Sequence, residues 1–156
     1  MAASRELSTR EISDRIRIQD LLVRYTRAID TKDWALLDTC FTPDAHVDYT
    51  ASGGAKGSYP EVRAWLAKAL TPFPITVHYI TNSQVELRGD RASARTLVYN
   101  PMFFANPDGS LHEFTVGATY VDELVWTDDG WRIARRVEEA GFLQGALPTA
   151  LQIPQK

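Results

Sequence analysis

Apolar positions keep a helical period through the first half of the chain and a strand period through the second, with the change at "TPFP" (71–74). Ile12, Ile16, Leu22 or Val23 and Ile29, with Ile18, Leu21 and Tyr25 alongside, recur at roughly helical spacing as far as Asp30. Ser8 and Glu11 stand where a capping box would start that helix. "DTKDW" breaks it, and a short second helix follows with Trp34, Leu36, Leu37, Cys40 and Phe41 as apolar positions. "TPDAHVDYT" reads as a turn into a short strand over Ala45–Thr50, and "ASGGAKGS" as a loop. Ser58 and Glu61, with Pro60 in the first turn, open a third helix in "SYPEVRAWLAKAL".

Beyond residue 74 four segments are rich in Val, Ile, Thr, Tyr, Phe and Trp: Ile75–Leu87, Ala92–Ala105, His112–Trp126 and Trp131–Phe142. The turn signals "RGD", "NPDGS" and "TDDG" separate them, and such short links require antiparallel hairpins. Helices first, then a four-strand meander, is an α+β arrangement: a curved sheet with helices packed on one side. A sheet curled around a helix layer encloses a concavity, mostly apolar, whose few inward polar groups carry any chemistry.

Length and composition narrow the field. At 156 residues, with 44% hydrophobic and 24% charged, the chain is expected to be a single domain spanning 1–156, with an N-terminal extension (1–8) and a C-terminal tail (144–156). The net charge of −3 argues against nucleic acid as a partner. No apolar run would cross a bilayer, the N-terminus lacks a signal peptide's apolar core, and the single cysteine, Cys40, points to a reducing compartment; the expected location is the cytoplasm. His46, His78 and His112 are scattered and the glycine-rich stretch is no P-loop, so neither metal nor nucleotide cofactor is expected.

Among inward candidates, Asp30 closes the first helix, where the negative end of the dipole should raise its pKa. A lysine would suit plain stability better there, although many helices run into an aspartate that merely starts a turn. In "PITVHYIT", alternation puts Thr76, His78 and Ile80 on one face and Ile75, Val77 and Tyr79 on the other. Both faces are apolar enough to be covered, and His78 there needs a hydrogen-bond partner, either as a core histidine or as half of an Asp–His pair. Tyr25 precedes Asp30 by five residues, about 140° around a helix, so the two converge only if the helix end unwinds or turns inward. Tyr49 sits on the first strand with its direction open, and His46 and His112 lie near turns, in solvent. Arg135 shares parity with Trp131, Ile133 and Val137, which makes it either an inward charge for an anionic group or an edge device against aggregation; whether Arg135 or Arg136 faces the pocket stays open. Cys40, in an apolar helix, reads as an inert core thiol.

The succession "YTRAIDTKDWALLDTCFTPDAHVDY", "TVHYITNSQVEL", "DDGWRIARR" resembles the SnoaL-like branch of the nuclear transport factor 2-like superfamily, over roughly Ile12 to Phe142. The pattern is most similar to scytalone dehydratase, through "D-x-K-D-W" and the strand "H-Y-I", and to bile-acid 7α-dehydratase, through the order Tyr25, Asp30, His78. It departs from the former at Ile29, where that family has tyrosine, and at Thr96, Thr119 and Val121, where its remaining contacts find no counterpart; scytalone is not the implied substrate. The resemblance implies a cone-shaped α+β barrel with three N-terminal helices on a strongly curved, mainly antiparallel mixed sheet. It also implies Asp30 and His78 as a catalytic dyad, Tyr25 and Tyr49 as carbonyl-polarising phenols, and Arg135 or Arg136 in place of a later arginine. The implied activity is a cofactor-free dehydratase or isomerase of a small cyclic apolar carbonyl compound, polyketide- or steroid-like, in a homodimer or homotrimer. In it His78 takes a proton beside the carbonyl and returns it to a departing hydroxyl on the same face. The rival readings are a non-catalytic ligand-binding module and an accessory subunit similar to the small subunit of ring-hydroxylating dioxygenases.

Overall fold

The computed structural model describes residues 6–151. The ends of the expected N-terminal extension and C-terminal tail, residues 1–5 and 152–156, lie outside the described residues. Three helices, α1 (Thr9–Asp30), α2 (Trp34–Asp38) and α3 (Tyr59–Ala69), pack on a seven-stranded sheet curved into a half-barrel. The strands are β1 (Phe41–Asp48), β2 (Lys56–Ser58), β3 (Ile75–Thr76), β4 (Tyr79–Arg88), β5 (Arg91–Ala105), β6 (Leu111–Thr127) and β7 (Gly130–Gln144). Their order is β2-β1-β7-β6-β5-β3, with β4 also on β5. Every pairing is antiparallel except β1 with β7, which closes the helical half of the chain onto the end of the meander.

Both capping boxes form. The Ser8 N–H donates to Glu11 at 2.8 Å and the Glu11 N–H to the Ser8 hydroxyl at 3.2 Å, while Glu61 accepts from the Ser58 N–H at 2.9 Å. The chain leaves α1 through a Schellman turn: Asp33 N–H bonds the Ala28 carbonyl (2.8 Å) and Lys32 N–H the Ile29 carbonyl (3.1 Å). Lys32 occupies the left-handed position (φ 54°) that glycine usually fills, and its Nζ donates to the Phe73 carbonyl at 2.8 Å.

The apolar stripe of α1 is rotated from the one expected. Asp14, Ile18, Leu21, Leu22, Tyr25, Ala28 and Ile29 are buried, whereas Ile12, Ile16 and Val23 lie on the outer face. Each buried aliphatic side chain contributes about 1.5–3 kcal/mol. The polar member of the stripe, Asp14, is satisfied by the Trp131 indole N–H at 3.0 Å.

Boundaries moved where hydrogen bonding overrides pattern. Cys40 and Phe41 leave the second helix, since α2 ends at Asp38 and β1 begins at Phe41 rather than Ala45. The glycine-rich loop contributes a three-residue strand, β2, against the end of β1. Tyr49 falls just beyond β1, not on it. The strand expected over Ile75–Leu87 is split at Val77–His78. Register places Val77 opposite Pro101 and His78 opposite Asn100. Val77 donates to the Pro101 carbonyl at 3.1 Å, but a proline has no N–H to return, so the ladder fails there. No helix among the described residues is long and apolar enough to cross a membrane.

Candidate functional site

Val77 and Pro101 form a hydrogen-bonding position of the antiparallel ladder, so the next N–H along, that of His78, points away from β5. It donates to Asp30 Oδ2 at 2.9 Å, and the ring Nδ1 lies 2.6 Å from Asp30 Oδ1. The Thr76 hydroxyl donates to the same Oδ1 at 3.0 Å. Burial alone would raise the Asp30 pKa. The ring hydrogen bond and charge of His78, its backbone N–H and Thr76 outweigh that, and the carboxyl settles below the ordinary aspartate range. The rise expected from the helix dipole is therefore overturned: three hydrogen bonds and the charge of His78 act on the carboxylate directly.

His78 lines a cavity of about 870 Å³ on the concave side of the sheet, and Asp30 stands behind it, outside the lining. The walls are largely apolar, with Ile29, Leu66, Phe73, Met102 and Phe114, and the segment after β7 adds Leu147 and Leu151. The sheet is not covered on both faces at His78: Ile75 and Tyr79, on the other face, are 44% and 55% exposed.

Tyr25 and Tyr49 meet in this cavity, their hydroxyls 2.8 Å apart. Burial pushes both phenols well above their ordinary pKa, so they remain neutral donors. Helix α1 does not unwind to bring Tyr25 and Asp30 together; it is helical through Asp30. His78 spans the angle instead, engaging Asp30 with Nδ1 while its ring packs edge-on to Tyr25 at 6.4 Å between centroids.

Arg135 does not enter the site. It is exposed and paired with Glu123 at 3.4 Å. Pairs Leu124–Ile133 and Glu123–Arg135 leave Ala134 as an extra residue in β7, and this bulge reverses the parity from there to a second bulge at Gly141. Arg136 is the one that turns inward, fully buried, with two hydrogen bonds of 2.7 Å to the fully buried Asp122. Its guanidinium lies between the rings of Tyr25 (4.0 Å) and Tyr120 (4.1 Å), supporting the tyrosine cluster without lining the cavity. Burial opposes its charge, yet Asp122 and the phenols hold its pKa well above the ordinary value.

The expectation for the other histidines holds for His46, which is exposed; His112 is half-buried, with Nε2 2.6 Å from the Ala146 carbonyl. Cys40 is buried, and burial pushes its thiol pKa up.

Four inward groups escaped the reading of the sequence: Asn100, Tyr120, Asp122 and Glu138. A signal existed for Asp122, which shares parity with Tyr120 and Leu124 on an apolar face. None existed for Glu138, because the bulge that turns it inward has no sequence signature in "RIARRVEE". Among the described residues no three His, Cys, Asp or Glu side chains gather as metal ligands.

Known proteins share the sequence pattern and the fold of this chain. Uncharacterised proteins of Mycobacterium tuberculosis and Mycobacterium bovis are 47% identical over 136 residues, covering 87% of this chain and 91% of theirs. The structure of a scytalone dehydratase-like protein of Novosphingobium aromaticivorans superposes with a TM-score of 0.74 at 19% identity, covering 88% of this chain and 90% of that one. A hexachlorocyclohexane dehydrochlorinase, LinA type 2, gives 0.73 at 22% identity, covering 88% and 95%. At those identities the two structures speak for the fold. The SnoaL-like domain model matches residues 10–137, most of the chain including every inward residue from Asp14 to Arg136, and the protein belongs to the SnoaL-like family.

Proposed function

We propose that the protein is a cofactor-independent lyase or isomerase acting on a small cyclic, mostly apolar carbonyl compound with a polyketide- or steroid-like ring. The observation that carries this is the 2.6 Å contact between Asp30 and the ring of His78 at the wall of a large apolar cavity. An ionised Asp30 accepts only, so Nδ1 holds the proton and Nε2 is the basic nitrogen. His78 is then the base that takes a proton from the carbon beside the carbonyl, and Asp30 is the residue that positions it.

Of the two hydroxyl hydrogens on Tyr25 and Tyr49, one is spent on their mutual bond. Tyr120 joins them through a hydrogen bond with Tyr25, and of the cluster's three hydroxyl hydrogens the one not spent within it donates to the substrate carbonyl as it becomes an enolate. Arg136, 4.0 Å from the Tyr25 ring, favours negative charge in that neighbourhood. If a hydroxyl stands β to the carbonyl, its loss completes a dehydration; without one, reprotonation further along the enolate moves a double bond. A scytalone dehydratase-like protein and a dehydrochlorinase among proteins of the same fold fit such eliminations. General acid–base groups contribute roughly 10²–10⁴-fold each, and a dry, oriented cavity supplies the remainder.

Cyclic β-hydroxy ketones and enones, followed by ultraviolet absorbance, form the test set. His78→Ala and Asp30→Asn should each lower turnover by about 10²–10⁴-fold with the circular dichroism spectrum unchanged. Near-full activity in either variant sinks the mechanism, and a bound compound recovered unaltered would instead favour a ligand carrier. We also propose a homodimer or homotrimer, because Tyr79, Leu97, Tyr99 and Phe142 leave an apolar aromatic band exposed on the convex sheet face.

A further inference from the structure

Among the described residues Glu138 is the one cavity-lining carboxyl, and no part of the mechanism above uses it. Its Oε1 is buried and has no hydrogen-bond partner among the described residues. Among the described residues no cation is hydrogen-bonded to Oε1, although the charge of Arg136 acts on the carboxyl and Arg136 Nη1 is itself buried without a hydrogen-bond partner. Arg136, two residues earlier on the same face, gives two hydrogen bonds to Asp122, and Arg95 pairs with Glu139 on the opposite face. A buried acceptor left unsatisfied in an apolar cavity is costly, and native folds keep such groups where a ligand or a proton completes them.

Position gives the group a purpose. Glu138 stands on β7 and His78 at the β3–β4 corner, with β6 and β5 between them in the sheet. Curvature turns both into one cavity, so a ring occupying it has a base and a carboxyl within the same wall.

We infer that Glu138 is the general acid of the site, holding a proton for an oxygen substituent that leaves the substrate. The inference rests on the reading of His78 as base and narrows the substrate to cyclic β-hydroxy ketones. In the step, His78 Nε2 takes the proton beside the carbonyl, and that C–H electron pair becomes the new C=C bond. The C–O bond breaks with its pair going to oxygen, which takes the Glu138 proton and departs as water. An imidazolium and a carboxylate remain; passage of one proton from the first to the second, through water, restores both.

The groups facing Glu138 are Arg136 on its own strand, Tyr120 on β6, Ser52 from the turn after β1, and His78. Burial pushes its pKa up; the Ser52 hydrogen bond and the charges of Arg136 and His78 pull the other way, and burial prevails. A proton held above the ordinary glutamate range suits an acid working toward neutrality.

Glu138→Gln keeps the shape and a hydrogen-bond donor but has no proton to give. With 3-hydroxycyclohexanone and its decalin homologue in D₂O, exchange beside the carbonyl reports His78, and enone formation reports loss of water. Expected is a fall of about 100-fold in water loss with exchange reduced less than about threefold. Equal losses in both readings, or no loss in either, overturn the assignment. Infrared difference titration of wild type against Glu138→Gln reads the carboxyl without turnover. A protonated-acid band persisting above the ordinary glutamate range supports the inference, and a carboxylate at or below that range refutes it. Absence of exchange in the wild type with every ketone counts against His78 as base, and the infrared result still decides Glu138.

Discussion

Two carboxyls of the site titrate with opposite signs, and the difference is decided atom by atom. Asp30 sits at the negative end of α1, yet its hydrogen bonds from His78 and Thr76 hold its folded pKa below the unfolded value. Its ionised form thus adds stability above roughly pH 4, which is lost as pH falls through the folded pKa. The melting-temperature gap between wild type and Asp30→Asn should be widest near neutrality and close as the solution is acidified. Glu138 runs the other way: its folded pKa is raised, so stability declines as pH climbs from the unfolded value through the folded one. Glu138→Gln should therefore gain in melting temperature over wild type as pH rises from about 4 toward neutrality. Scanning fluorimetry across that range checks both. A fixed or inverted gap for either variant contradicts the assignment of its environment. At this scale Asp30, His78, Tyr25 and Tyr49 were legible, because each is a polar residue on an otherwise apolar pattern.

Among the elements, those with local hydrogen-bond signals were readable and those with irregular ladders were not. Ser8–Glu11 and Ser58–Glu61 mark helix starts because a side chain three residues on reaches back to a free N–H. Ser58→Ala should cost about 0.5–2 kcal/mol in denaturant unfolding. The bulge at Ala134 depends on how β7 must bend between β1 and β6, and nothing local announces it. It exchanges the fates of two adjacent arginines. Arg136→Ala leaves the Asp122 carboxylate buried alone and should cost about 3–5 kcal/mol, whereas Arg135→Ala removes an exposed pair worth about 0–1 kcal/mol. Comparable losses from both would show that the parity is not reversed. The break at His78 is intermediate. Pro101 is visible in the sequence, but its partner across the ladder is known only once register is set.

For the whole molecule, the convex face carries the remaining prediction. Tyr79, Tyr99 and Phe142 form a band of rings at 6.2 and 6.3 Å between centroids, crossing β6 at Gly117. Burying that band between copies would account for its exposure in the single chain. Tyr99→Glu should convert the dimer or trimer to monomer by light scattering; a wild type that is already monomeric at micromolar concentration defeats the proposal. Sequence alone determined the α+β class, the helix starts and the hairpins, since periodicity, capping and turn chemistry act over a few neighbours; it offered Asp30 and His78 as candidates, and their pairing was implied only by the family resemblance. Tertiary structure decided which arginine lies inside, that Asp30 is stabilised as an anion, and that Glu138 reaches the cavity. Those depend on register, bulges and curvature, which arise only when distant strands pair and share a core.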